Sequence, residues 1–219
     1  YRCSKLPSIV IPKSVKTIAS DAFSSCTSLA SLTISSGVTS IESSAFSKCQ
    51  SLSAVFIPSS VKILGKRCFE YCSALTRLHL SEGMTTLGDY CFMMCEKLPE
   101  VIIPTTLTNI SSHCFYYCSA LKSVSIPNSI TRIDASAFES CTSLSFVEIP
   151  PSVTSIGTKT FYRCTALTEI RVSSLNPKYK SIDGVLFSIT NHSLMVYPSK
   201  KSAVSYSIPS GTIQVEQYA

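Results

Sequence analysis

The chain has 219 residues and 23.7 kDa, with 19 Lys+Arg against 13 Asp+Glu, a net charge of +6 and only 15% charged residues. Hydrophobic residues at 45% supply a sizeable core and exclude intrinsic disorder. No apolar run reaches the roughly 18 residues of a membrane span, no signal peptide opens the chain, and a surface diluted by 42 serines speaks against a dedicated nucleic-acid binder.

The chain opens Tyr1-Arg2-Cys3, which matches Tyr162-Arg163-Cys164, so the first unit of a repeat begins just after its missing Phe. From there phenylalanine stands at 23, 46, 69, 92, 115, 138 and 161, always 23 residues apart. Three residues after each Phe comes Cys26, Cys49, Cys72, Cys95, Cys118, Cys141 or Cys164. Six after it comes Leu29, Leu52, Leu75, Leu98, Leu121, Leu144 or Leu167. Five before it sits Ile18, Ile41, Leu64, Leu87, Ile110, Ile133 or Ile156. A fixed period of this length marks a solenoid, in which each unit buries its face only against its neighbours.

Within a unit, Leu29-x-x-Leu32-x-Ile34 returns as Leu75-x-x-Leu78-x-Leu80 and Leu144-x-x-Val147-x-Ile149. Its last three positions alternate apolar, variable, apolar, the signature of a short strand with one buried face. Proline often follows at once, at Pro12, Pro58, Pro104, Pro127, Pro150 and Pro209, and ends the ladder because it has no amide donor. A stretch such as 133–138 then turns Ala137, Phe138 and Cys141 inward, an i, i+1, i+4 spacing that predicts about one helical turn.

Beyond Val172 the next equivalent residue, Ile208, is 36 positions away instead of 23. Inside this longer repeat, 173–207, residues 181–187 and 194–197 read as two strands of a β-hairpin around a turn at Thr190-Asn191-His192. The chain closes at Ala219, one residue short of the next Phe. Both ends therefore cut through a repeat, and their bare strand edges are expected to favour self-association.

The pattern resembles the BspA-like leucine-rich repeats. Their unit, IPxSVxxIxxxAFxxCxSLxxV, is present almost verbatim from Ile126 to Val147. The resemblance implies an α/β, β-rich fold class: one right-handed leucine-rich-repeat solenoid over 1–219. Its 23-residue units would carry a concave parallel sheet, with short helical turns on the opposite side. Nine such strands at about 4.8 Å each would make a rod on the order of 40 Å long. The hairpin insertion is a family feature by the same resemblance.

Three readings of the cysteines stand side by side. They are small buried residues stacked along the solenoid, or disulfides between adjacent coils, for which parallel side chains sit poorly, or zinc ligands at Cys68/Cys72, Cys91/Cys95 and Cys114/Cys118. Ala22, Ala45, Ala137 and Thr160 fill the slot of Cys68, Cys91 and Cys114 elsewhere, which argues for smallness over ligation. An odd total of eleven cysteines cannot pair completely.

Catalytic residues are not evident. His79, His113, His192, Asp21, Asp89, Asp134 and Asp183 all fall at positions that vary between repeats, and no phosphate loop, nucleophile elbow or metalloprotease motif appears. Glu100 and Glu148 share the sheet two units apart, with no pocket expected between them. No cofactor and no metal are expected.

The outward strand positions carry whatever is specific to this chain. Phe56, His79, Ile102 and Phe146, rimmed by Arg77, Glu100, Glu148 and Arg171, are the candidate partner-binding residues, since apolar anchors inside a charged rim suit a protein interface. Strand propensity alone could equally have placed Phe and Ile there. A second stripe on the turn side holds Tyr71, Tyr90, Met93, Met94, His113, Tyr116 and Tyr117, either a contact surface or amphipathic side chains lying along the coil. Lys178, Lys180, Lys200 and Lys201 make the insertion basic, as a solvated face. Two sequons occur, Asn109-Ile110-Ser111 and Asn191-His192-Ser193, of which Asn191 at the hairpin tip is the better acceptor. The resemblance implies a non-enzymatic cell-surface or secreted adhesin that binds host extracellular-matrix or cell-surface proteins, without nucleic acid or membrane insertion. The alternative is an intracellular (cytoplasmic) repeat scaffold for protein–protein interactions, which reduced cysteines would permit.

Overall fold

The computed structural model describes residues 2–203 and 205–219; Tyr1, where the N-terminal match begins, lies outside them. Each unit forms one coil of a parallel β-solenoid with three walls. The first wall holds the long strands Ser8–Ile11, Ser31–Ile34, Ala54–Ile57, Arg77–Leu80, Glu100–Ile102, Ser123–Ser125, Phe146–Ile149 and Glu169–Val172. Leu32, Ile34, Val55 and Ile57 point into the core while Ser31, Thr33 and Phe56 face out, as the period-2 pattern requires. A ninth strand expected before Ile208 is not formed there; instead Tyr206 sets its ring edge against Tyr197 at 5.2 Å.

The long strands pair two by two. Ladders join Ser8–Ile11 to Ser31–Ile34, Ala54–Ile57 to Arg77–Leu80, Glu100–Ile102 to Ser123–Ser125 and Phe146–Ile149 to Glu169–Val172, but not one pair to the next. Ser35 and Ser173 donate their amides back to Ile11 and Ile149, and Ser81 donates its hydroxyl to Ile57. At the boundaries between pairs the same position is Pro58, Pro104 or Pro150, which has no amide to give; Pro127 stands there too, yet its strand still pairs with Glu100–Ile102, so the missing amide weakens a ladder without by itself ending it. The second wall carries two-residue strands stacked in parallel, Thr17–Ile18 through Thr86–Leu87 and then Asn109–Ile110 through Ser155–Ile156.

The third wall corrects the expectation of helical turns: no helix occurs among the described residues. The residues two before and two after each Phe are left-handed, for example Asp21 and Ser25, Tyr90 and Met94, or His113 and Tyr117, with φ between 55° and 61°. Two tight turns in succession place i, i+1 and i+4 inward just as a helical turn would, but a left-handed residue breaks the helical ladder. Each such residue costs roughly 1–2 kcal/mol. The cost is offset because the turn amides then point along the solenoid. Asp21, Phe23 and Ser25 donate to Ser43, Ala45 and Ser47 of the next coil, and the same three bonds recur at every level through Ser136, Phe138 and Ser140.

Inside this wall the Phe rings form one stack, with centroids 5.3 to 6.0 Å apart and planes within 10° of parallel. That separation lies in the favourable offset range. Beside it runs the principal cysteine column. Each Sγ from Cys49 to Cys164 donates to the carbonyl of the Phe 26 residues earlier, at 3.2 to 3.4 Å. All eleven cysteines are free and all but Cys3 are buried. Of the three readings the structure carries the first, with one addition: a methyl group would fill the slot but could not donate.

The insertion forms three strands where the sequence reads two. Asp183 and Gly184, both left-handed at φ 51° and 77°, make a tight turn between Tyr179–Ile182 and Val185–Ser188. Val185–Ser188 then pairs antiparallel with Ser193–Val196, and Gln214–Val215 resumes parallel stacking on that last strand. Buried Asn176 joins the insertion to the coils. Its amide donates to Pro150 O and Val153 O at 2.8 and 2.9 Å, and its Oδ1 accepts from the amides of Lys178 and Tyr179. The Tyr179 hydroxyl accepts the Ile156 amide at 2.9 Å.

Candidate protein-binding face

The long-strand wall turns two rows of side chains outward. In one row Phe56 stands beside its register partner His79, with Ile102 at the equivalent position one unit further on. Phe56 is 56% and Ile102 72% exposed, far beyond what a core residue shows. Val10, equally bare in the same row, extends the apolar stripe and was not singled out by the sequence. The other row carries Arg77, Glu100 and Phe146. The Arg171 guanidinium bonds Glu169 at 2.6 Å and lies 5.5 Å from the Phe146 ring centroid, which leaves Phe146 38% exposed. The wall therefore brings Phe56, His79 and Ile102 into one patch and sets Phe146, Glu148 and Arg171 in a second.

Between the patches lies a groove of about 630 Å³, lined by Glu100, Ile102, Ser123, Ser125, Phe146 and Glu148, with Asn128, Pro150 and Pro151 at its end. Sequence reasoning expected no pocket between Glu100 and Glu148. The groove exists because the intervening strand presents only serine, and because the ladder stops between Ser125 and Phe146. The signal was a strand whose two outward residues are both small.

The turn-side stripe is partly buried along the coil. Tyr90 stacks on His113 at 4.6 Å, Tyr116 tilts against His113, and Lys66 and Arg67 lie over the Tyr90 ring. Burial pushes the His113 imidazole below its ordinary pKa, so its neutral form is favoured there. Only Tyr117 in this stripe is strongly exposed. Asn109 is held by Ser111 at 3.1 Å on a short strand, whereas Asn191 is exposed.

The column thiols are not poised for nucleophilic chemistry. Burial raises the column thiols, to about 12 at Cys49, Cys118 and Cys164, which keeps them protonated and unreactive. Among the described residues no group of three His, Cys, Asp or Glu side chains is placed to hold a metal ion, and no helix is long and apolar enough to cross a membrane.

A parallel β-solenoid with a 23-residue period and a variable strand wall defines a leucine-rich-repeat scaffold. The chain belongs to the BspA-type leucine-rich-repeat family, whose description matches residues 1–122 and 108–218 in six copies. Among solved structures, a leucine rich cell surface protein from Faecalibacterium prausnitzii is 34% identical with a TM-score of 0.87, over 94% of this chain and 58% of its own length. A leucine rich repeat protein of T. pallidum (25% identity, TM-score 0.68, 74% of this chain and 78% of its own) and one of Bacteroides ovatus (25%, 0.58, 79% and 57%) share the fold. Among curated proteins none matches.

Proposed function

We propose that this chain is a non-enzymatic protein-recognition domain of a cell-surface or secreted adhesin, whose partner is a host extracellular-matrix or cell-surface protein. Residues 1–219 act as one repeat domain in this reading, with 173–207 as its longer repeat. The observation that carries it is the bare apolar pair Phe56 and Ile102 on the variable wall of an otherwise repetitive scaffold. Large exposed anchors with Arg77 and Glu100 in the adjoining row suit a protein interface. The surface assignment leans on the Faecalibacterium relative, which is named a cell surface protein, and this chain spans just over half of that relative. The test is saturable binding to immobilised matrix and cell-surface proteins, with the Phe56→Asp/Ile102→Asp variant alongside. Loss of binding in a variant that melts like the parent is the expected result; equal binding by both would move the site off this wall.

The second reading, an intracellular repeat scaffold, is favoured by one observation: eleven free thiols, ten of them buried. Chains recovered from the exported fraction of the producing cell would dismiss it, and recovery only from the cytosol would establish it.

A further inference from the structure

We propose that the groove over Ser123–Ser125 receives an extended segment of a protein partner bearing two Lys or Arg side chains four residues apart. The inference deepens the protein-recognition reading and rests on it. Register places Glu100 beside Ser123 and Ile102 beside Ser125. Phe146 and Glu148 occupy the same two positions one unit further on. The carboxylates thus stand at one pair of diagonal corners and the apolar side chains at the other, around a serine floor.

Charge complementarity selects the occupant. No Lys or Arg lines the groove, in a chain whose net charge is +6. The carboxylates of Glu100 and Glu148 are exposed and make no hydrogen bond or ion pair with the described residues; of the neighbouring cations, Arg171, the register partner of Glu148, is engaged by Glu169 and Phe146, and Arg77 stands one coil from Glu100 outside the groove lining. A neutral or acidic occupant would leave both carboxylates without a partner. A cationic side chain pairs its head with a carboxylate and lays its methylene stem over Ile102 or Phe146.

Spacing selects the segment. Two residues along a strand span about 6.8 Å and two coils about 9.6 Å, so the diagonal between the acids is about 12 Å. In an extended chain residues i and i+4 share a face and lie about 13 Å apart, which fits that diagonal; adjacent residues point to opposite faces. The residue between them, at i+2, faces Ser123 and Ser125 and must be small.

The probe is a short fluorescein-labelled peptide with two Lys four apart and Ala, Ser and Thr elsewhere, followed by anisotropy at low ionic strength. Saturable binding is expected, weakening about two- to fivefold in Glu100→Gln or Glu148→Gln and fading as salt rises. Ser125→Phe fills the floor without changing charge and should abolish binding. Absence of binding, equal binding of an isomer with adjacent lysines, or undiminished binding by the Glu100→Gln/Glu148→Gln variant would overturn the proposal. Capture of a matrix or cell-surface protein that survives the double Gln change but not Phe56→Asp/Ile102→Asp would sink the groove alone.

Discussion

Along the turn wall three backbone hydrogen bonds tie each coil to the next at every level, and the Phe stack and the thiol donors lie directly beneath them. Along the long-strand wall the ladder is present only at alternate levels, and the outward side chains differ from unit to unit. The same 23-residue unit thus divides its labour. One wall holds the register, which frees the other to vary in composition without loss of fold. Variation is confined to the outward side chains of the strand wall, which are exposed and contribute little to stability, while Leu32, Ile34, Val55 and Ile57 keep the inward face in the core.

Four predictions test that division. The largest effect is expected from alkali. Cys49, Cys118 and Cys164 are raised to about 12 by burial, above an unfolded value near 8.5, so their contribution is whole below about pH 8.5 and is lost as pH rises towards 12. Each loses about 1.4 kcal/mol per pH unit in that window, roughly 4 kcal/mol together. Denaturant melts at successive pH values should show a steep fall above pH 9, and a flat profile would mean that water reaches the column. Native thiol labelling should accordingly find Cys3 alone.

Next comes Phe115→Ala, which opens the ring stack and should cost roughly 3–5 kcal/mol, against about 0.5 kcal/mol or less for Phe56→Ala on the other wall. Similar losses for both would erase the contrast between the walls. Asn176→Ala removes a side chain that both gives to Pro150 and Val153 and takes from Lys178 and Tyr179, so a loss of about 2–4 kcal/mol is expected from the groups left unpaired. Cys118→Ala, which deletes one sulfur and one weak donor to Phe92, should cost about 1–2 kcal/mol by the same unfolding measurement.

The period, the strand alternation and the inward Phe, Cys and Leu columns were legible because each is a choice repeated at every coil. The turn wall was misread for a physical reason. Left-handed backbone at Arg67, Tyr90, His113 and Lys159 leaves no glycine or asparagine signature, since varied unbranched side chains occupy those positions once the inter-coil bonds hold them. Asn176 and Tyr179 were missed because their partners lie 23 to 26 residues away, across coils, in a segment that departs from the repeat. Phe56 and Ile102 could be read as outward from alternation alone. The groove could not, because it is made by what Ser123 and Ser125 lack and by Pro150 ending a ladder one coil away.

Those prolines also set how the rod responds to force. Pulled along its axis, a stack fastened on one side at every level and on the other at every second level bends before it parts. The weak seams fall where Pro58, Pro104 and Pro150 face the preceding strand. The strand wall can splay at these joints while the turn wall acts as an unbroken spine, so a load along the rod is taken up first as curvature and only later as rupture.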